Sequence, residues 1–226
     1  MLRDQEKALA AAASLDFVKD GQIVGLGSGS TAARAIRALG ARVRAGLKIR
    51  GIPTSVRSGD LAIELGIPLT TFEEVQEIDV TIDGADEFDP HLNLVKGGGG
   101  ALLREKIVAS ASKQMVVVAD SSKQVSVLGT FPLPVEVIGF AQSLIEKEIA
   151  ALGATATLRR DPQGNVYVTD EGHHILDCRF GRIPDPPALA RRLSDMPGIV
   201  EHGLFLGMAS VVVMAKGTEI LELRRA

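Results

Sequence analysis

One cysteine, Cys178, stands in 226 residues. It excludes an internal disulfide framework and suits a reducing compartment, and its ordinary role is that of a small buried hydrophobe. No apolar run reaches the roughly 18 residues that a membrane-spanning helix needs. The first residues, Met1 to Lys7, are charged, and the alanine-rich run behind them ends at Asp16. That is too short and too acidic at its flanks for a signal peptide. A cytoplasmic protein with no membrane partner is expected. An excess of one charge is missing too: 25 basic and 28 acidic residues leave a net charge of −3. No broad basic face and no nucleic-acid partner are therefore expected. His91, His173, His174 and His202 are scattered and, with one cysteine, make no zinc spacing. Internal repeats and low-complexity segments are absent. What remains, 46% hydrophobic and 23% charged, is an ordinary globular composition, long enough for one large domain or two small ones.

The chain alternates apolar strands with helices. Helices are expected over residues 3–18, 31–39, 55–65 and 101–111, and strands over 22–26, 47–52, 67–70, 80–83 and 115–119. That order means βαβ units, a mostly parallel sheet and a doubly wound α/β domain. The rhythm changes at Phe131-Pro132-Leu133-Pro134, a proline-marked boundary. Beyond it come a strand (135–138), a helix (141–152), strands at 155–160, 165–169 and 174–180, a helix (187–193) and a strand (199–203). This approaches the split βαβ order of small ferredoxin-like α+β domains. Two apolar strands at 210–214 and 219–223 are expected to return to the first sheet. The expected domains are therefore 1–130 with 205–226, Rossmann-like and catalytic, and 131–204, small and α+β.

Chemistry-bearing residues gather at the carboxyl ends of these strands, where open α/β sheets bind ligands. Gly27-Ser28-Gly29-Ser30-Thr31 links a strand to a helix and offers N–H groups and hydroxyls to an anion. Gly27-x-Gly29-x-x-Ala32 also matches a dinucleotide fingerprint, but the next strand, 47–52, lacks the ribose-binding acid. The bland alternative is that Ser30 or Thr31 merely caps the helix; capping and phosphate binding are compatible, and the loop favours phosphate binding. The stretch from Asp83 to Glu105 carries most of the signal. Asp83, Asp86 and Asp89 do not have calcium-loop spacing; they are either a solvated turn or acid/base groups, with Gly84 and Ala85 leaving room for a ligand. Lys96 precedes Gly97, Gly98, Gly99 and Gly100, a run whose entropic cost asks for a gain in exposed N–H groups or in space. Glu105 follows one helical turn beyond Ala101; taken alone, it would be an exposed partner of a basic residue. Lys123, after the strand at 115–119, falls on the same sheet edge.

Taken together, Gly25-Leu-Gly-Ser-Gly-Ser-Thr-Ala32, Asp83-Gly-Ala-Asp-Glu87, Lys96-Gly-Gly-Gly99, Leu103-Arg-Glu-Lys-Ile107, Ser122-Lys-Gln-Val125 and Phe131-Pro-Leu-Pro-Val-Glu-Val137 resemble ribose-5-phosphate isomerase of the A type, over nearly the whole chain. Ser28 stands where that family usually has threonine, Gly100 where alanine is usual, and Leu103 where threonine is usual, which removes any hydroxyl role at 103. The resemblance implies an aldose–ketose isomerase of the pentose phosphate pathway, interconverting D-ribose 5-phosphate and D-ribulose 5-phosphate through an enediolate. It implies a sugar-phosphate substrate, no metal, no cofactor, and a homo-oligomer, most often a homodimer. It further implies Glu105 as general base and a substrate site lined by Ser28, Gly29, Ser30, Thr31, Asp83, Gly84, Ala85, Asp86, Lys96, Gly97, Gly98, Gly99 and Lys123. The chemistry agrees: a carboxylate can shuttle a proton between C1 and C2, and Lys96 with backbone N–H groups can stabilise the enediolate. Asp83 and Asp86 are expected to assist ring opening, and Lys7 to help hold the phosphate. Two rivals are a non-catalytic sugar-phosphate sensor, which usually carries a DNA-binding segment not expected here, and a nucleotide-dependent oxidoreductase, against which the missing ribose-binding acid argues.

Overall fold

The computed structural model describes residues 2–225. In chain order the elements are α1 (Leu2–Ser14), β1 (Ile23–Leu26), α2 (Gly29–Arg44), β2 (Arg50–Pro53), α3 (Val56–Glu64), β3 (Ile78–Gly84), β4 (Glu87–Phe88), β5 (Leu94–Val95), α4 (Leu102–Ser110), β6 (Ser112–Asp120) and β7 (Leu133–Val137). They continue with α5 (Gln142–Ala151), β8 (Thr155–Leu158), β9 (His174–Arg179), α6 (Pro186–Ser194), β10 (Ile199–His202), β11 (Leu204–Phe205), β12 (Val211–Lys216) and β13 (Glu219–Arg224). The chain divides into two compact units.

The first unit runs through Ala85, takes in Arg104–Lys123 and resumes at Gly207. Its six-stranded sheet has the order β13-β12-β6-β3-β1-β2. All neighbours are parallel except the β12–β13 hairpin. The central strands are apolar on both faces, and Met115 to Ala119 are fully buried, as a sheet covered on both sides requires. Ala32, Ala35, Ile36 and Leu39 form the buried stripe of α2, with helical spacing of three and four. Ala35, Ile36 and Leu39 belong with Val24, Val80, Ile82, Val116, Val211 and Val213 to one apolar core. A capping box between Ser55 and Ser58 starts α3.

The second unit, Asp86–Leu103 and Gln124–Leu206, holds an antiparallel sheet of order β10-β7-β9-β8. With α5 and α6 this is the ferredoxin-like β-α-β-β-α-β arrangement. Alternate residues Leu133, Val135 and Val137 pack with Ile145, Ile149, Leu176 and Leu193 in its core, leaving the opposite sheet face for polar groups. A second, three-stranded sheet, β11-β5-β4, lies in the same unit.

Several expectations need correction. Residues 86–103 and the segment from Gln124 belong with the small unit, not the large one, because β5 pairs with β11 and Val125 N bonds Phe88 O at 3.0 Å. These two-residue strands are too short to show a period. Residues 67–70 form no strand but a single bridge, Leu69 to Gly51; Pro68 has no N–H to extend a ladder. Residues 165–169 likewise make only the bridge Arg160–Val166, because Asp161 gathers the Gln163 and Asn165 N–H groups into a turn. The first helix stops at Ser14 and tightens into a 3₁₀ turn over Leu15–Phe17.

Candidate functional site

In the first unit, four parallel strands end at one rim and each brings polar groups there. Behind β1, Ser28 donates its N–H to Asp83 Oδ1 at 3.0 Å, and Gly84 N–H donates to the same oxygen at 2.7 Å. Asp83 is completely buried. The loop comes that close only because position 27 is glycine: a Cβ there would lie 2.6 Å from Asp83 Cα. The Ser28 hydroxyl does not cap α2. It pairs instead with Thr54 Oγ1 at 2.8 Å and donates to Ser55 Oγ at 2.7 Å, both at the end of β2. Gly29 has φ +91°, a conformation that favours glycine, and Ser30 and Thr31 lie in the first turn of α2. Lys7, on α1, reaches Ser30 Oγ at 3.2 Å. This loop thus has an ammonium beside it.

Beyond β6, Lys123 ends a 3₁₀ turn over Ser121–Lys123. Glu6 of α1 anchors this turn, accepting from Ser121 N at 3.2 Å and Ser121 Oγ at 2.9 Å, and also from Gly217 N at 2.7 Å. These donors hold the Glu6 carboxyl below its ordinary range, the Gly217 N–H most strongly. Glu105 occupies the first turn of α4 and is only 4% exposed. The reading of Glu105 as an exposed helix partner is therefore excluded by its burial.

In the second unit, Asp86 donates its N–H to Val95 O at 2.8 Å and accepts the Gly98 N–H on Oδ2 at 2.7 Å. Lys96 is 2% exposed; its backbone N–H meets Gly203 O at 2.9 Å, and its Nζ lies 5.3 Å from the centre of the Phe205 ring. Gly97 and Gly100 have φ of +99° and +83°, so two glycines of the run are required by conformation. A Cβ on Gly100 would also lie 2.2 Å from the Tyr167 hydroxyl, which fits glycine rather than alanine at this position. Asp89 is committed to its own loop: Oδ1 accepts from His91 N at 2.9 Å and Asn93 N at 2.8 Å, and Oδ2 from Asn93 Nδ2 at 2.9 Å. Among the described residues, no three His, Cys, Asp or Glu side chains come together as metal ligands.

Within each unit the expected residues do gather: Ser28, Asp83 and Gly84 in one, Asp86 and Gly98 in the other. Thr54 and Ser55 were missed, although they follow a strand on the same rim as Ser28. Glu6 was missed because its partners lie more than a hundred residues away. Glu87 is a structural tie, accepting from Gly129 N at 2.8 Å and Phe131 N at 2.5 Å. Burial raises the Cys178 thiol far above its usual range and leaves it unreactive, as its small apolar role suggests.

Comparison with known proteins identifies the family. Residues 50–219 match the model of the family described as ribose 5-phosphate isomerase A (phosphoriboisomerase A). A ribose-5-phosphate isomerase A of Bradyrhizobium diazoefficiens is 52% identical, over 100% of this chain and 98% of its own. The solved structure of a D-ribose-5-phosphate isomerase in complex with phospho-erythronic acid superimposes with a TM-score of 0.97 at 38% identity, covering 100% of both chains. That of the Methanocaldococcus jannaschii ribose 5-phosphate isomerase A gives 0.94 at 38% identity over 98% of this chain and 99% of that one. The chain belongs to the ribose 5-phosphate isomerase A family.

Proposed function

We propose that this chain interconverts D-ribose 5-phosphate and D-ribulose 5-phosphate, in the non-oxidative branch of the pentose phosphate pathway, with Glu105 as the base. On the open-chain aldose, the carboxylate takes the proton from C2, the C1 oxygen gains negative charge, and the enediolate forms. Return of the proton to C1, with transfer of the O2 proton to O1, yields the ketose. The observation that carries this reading is the burial of Glu105 in the first turn of α4, in a family whose members are named for this reaction. A carboxylate removed from water and held on a helix is suited to proton transfer rather than to solvation.

The remaining roles follow from charge and position. Lys96, buried and cationic, and the N–H groups of Gly97, Gly98 and Gly99 stabilise the enediolate oxygen. Asp83 and Asp86 assist ring opening, with Gly84 and Ala85 beside them leaving space. Ser28, Gly29, Ser30 and Thr31 hold the phosphate; the Lys7 contact to Ser30 supports a second ammonium there alongside Lys123. We place the protein in the cytoplasm as a homodimer. The lone buried thiol and the absence, among the described residues, of a helix long and apolar enough to cross a membrane agree with the first. The exposed Phe140 and Leu144 suit the second.

Glu105→Gln keeps the shape and removes the base. The expected result is a folded protein with nearly unchanged KM and a kcat lower by about a thousandfold or more, within the range that general acid–base groups supply. Near-normal turnover of ribose 5-phosphate, followed as ketose formed without added cofactor, would refute the assignment.

A further inference from the structure

Three successive carbonyls of the glycine loop are tied to two side chains from the segment between β8 and β9. Arg159 Nη1 donates to Gly97 O at 2.8 Å and to Gly98 O at 3.2 Å. The Tyr167 hydroxyl donates to Gly99 O at 3.4 Å. The other edge of the same guanidinium is also engaged: Nε donates to Asp177 Oδ2 at 3.0 Å, and Nη2 donates to Asp177 Oδ1. Tyr167 completes the setting, its ring centre 5.9 Å from Arg159 Cζ. All of these residues lie in the second unit, and the Arg159 side chain is 13% exposed.

This is a different arrangement from a surface ion pair. The planar fork of arginine presents donors on two edges, so one side chain can be locked by a carboxylate while gripping backbone carbonyls with its free edge. Lysine has no such fork. Asp177 sits on β9, paired with β8, whose end leads directly to Arg159, so the lock stands on a rigid sheet. The loop it grips has no side chains of its own from Gly97 to Gly100 and would otherwise sample many backbone conformations. In a trans peptide the C=O of one residue and the N–H of the next point in opposite directions. Holding the Gly97 carbonyl on Arg159 therefore turns the Gly98 N–H the other way, where it meets Asp86 Oδ2 at 2.7 Å. Holding the Gly98 carbonyl turns the Gly99 N–H likewise.

We propose that Arg159, locked by Asp177, is a positioning residue of the isomerase, setting the peptide planes of Gly97–Gly99 and, through the Gly98 N–H, the Asp86 carboxylate. The inference rests on the reading of Asp86, Lys96 and this loop as substrate-facing groups.

The test compares Arg159→Lys, Arg159→Ala and Glu105→Gln in the full chain. Misplacement of the loop is expected to lower kcat about tenfold or more in Arg159→Lys, with KM for ribose 5-phosphate within about threefold of wild type. Arg159→Ala is expected to lose more, and millimolar guanidinium ion to restore part of its kcat, which no general loosening of the fold would allow. Wild-type kcat in a folded Arg159→Lys overturns the proposal, as does a loss in Arg159→Ala that guanidinium leaves unchanged. If Arg159→Ala does not fold, Arg159→Lys decides alone. If Glu105→Gln is also fully active, the underlying site reading has failed; if Glu105→Gln is dead and the Arg159 variants are normal, only the positioning role has failed.

Discussion

Lys96 shows what burial adds to a residue that the sequence marks only by its neighbours. An ammonium that is 2% exposed, against the face of Phe205, has given up most of its hydration. In the proposed reaction, an ammonium already held in place there would stabilise the developing oxyanion without waiting for solvent to reorganise. Lys96→Ala is therefore expected to cost roughly 3–4 kcal/mol of transition-state stabilisation, a drop in kcat of a few hundredfold, while KM changes far less. Steady-state kinetics on ribose 5-phosphate checks it; a change confined to KM would reassign Lys96 to ground-state binding. Gly27 is the complementary case. Its value is the side chain it lacks, since the close approach to Asp83 permits the Ser28 N–H bond that helps hold that buried carboxylate.

At the scale of the element, helix α1 couples distant parts of the first unit through Glu6. The carboxylate receives N–H groups from the turn before Lys123 and from the β12–β13 hairpin. Because these bonds lower its pKa in the folded state, the stability it contributes is fully present above about pH 4.5, the ordinary value for the unfolded chain. It is lost as pH falls through the lower, folded value. Glu6→Gln is expected to lose stability at neutral pH and to show a shallower further decline on acidification than wild type. Denaturant melts at pH 7 and across the acid range measure both; parallel curves would remove Glu6 from the acid response. The helix itself was legible as an alanine-rich run. Its anchoring role was not, because no local pattern links Glu6 to partners 115 and 211 residues away.

At the scale of the whole molecule, the proposed homodimer has a specific consequence. Phe140 is 99% exposed, with Leu144 one helical turn on, so neither side chain contributes to the core of its own unit. Phe140→Ser is expected to weaken self-association with little change in the melting temperature extrapolated to the monomer, read by sedimentation across a range of protein concentration. A dimer of unchanged affinity would place the interface elsewhere.

The sequence by itself determined the alternation of strands and helices, the return of the last hairpin to the first sheet, the ferredoxin-like order of the second unit and the family, with its residues at strand ends. Each is written locally, in apolar periodicity, glycine and proline punctuation, and motifs of a few residues. Tertiary structure alone decided the assignment of residues 86–103 to the small unit, the pairing of two-residue strands, the burial of Glu105 and the grip of Arg159 and Tyr167 on the glycine loop. Those depend on contacts between segments tens of residues apart. The energy of such contacts comes from desolvation and hydrogen-bond geometry, which no single stretch of chain contains.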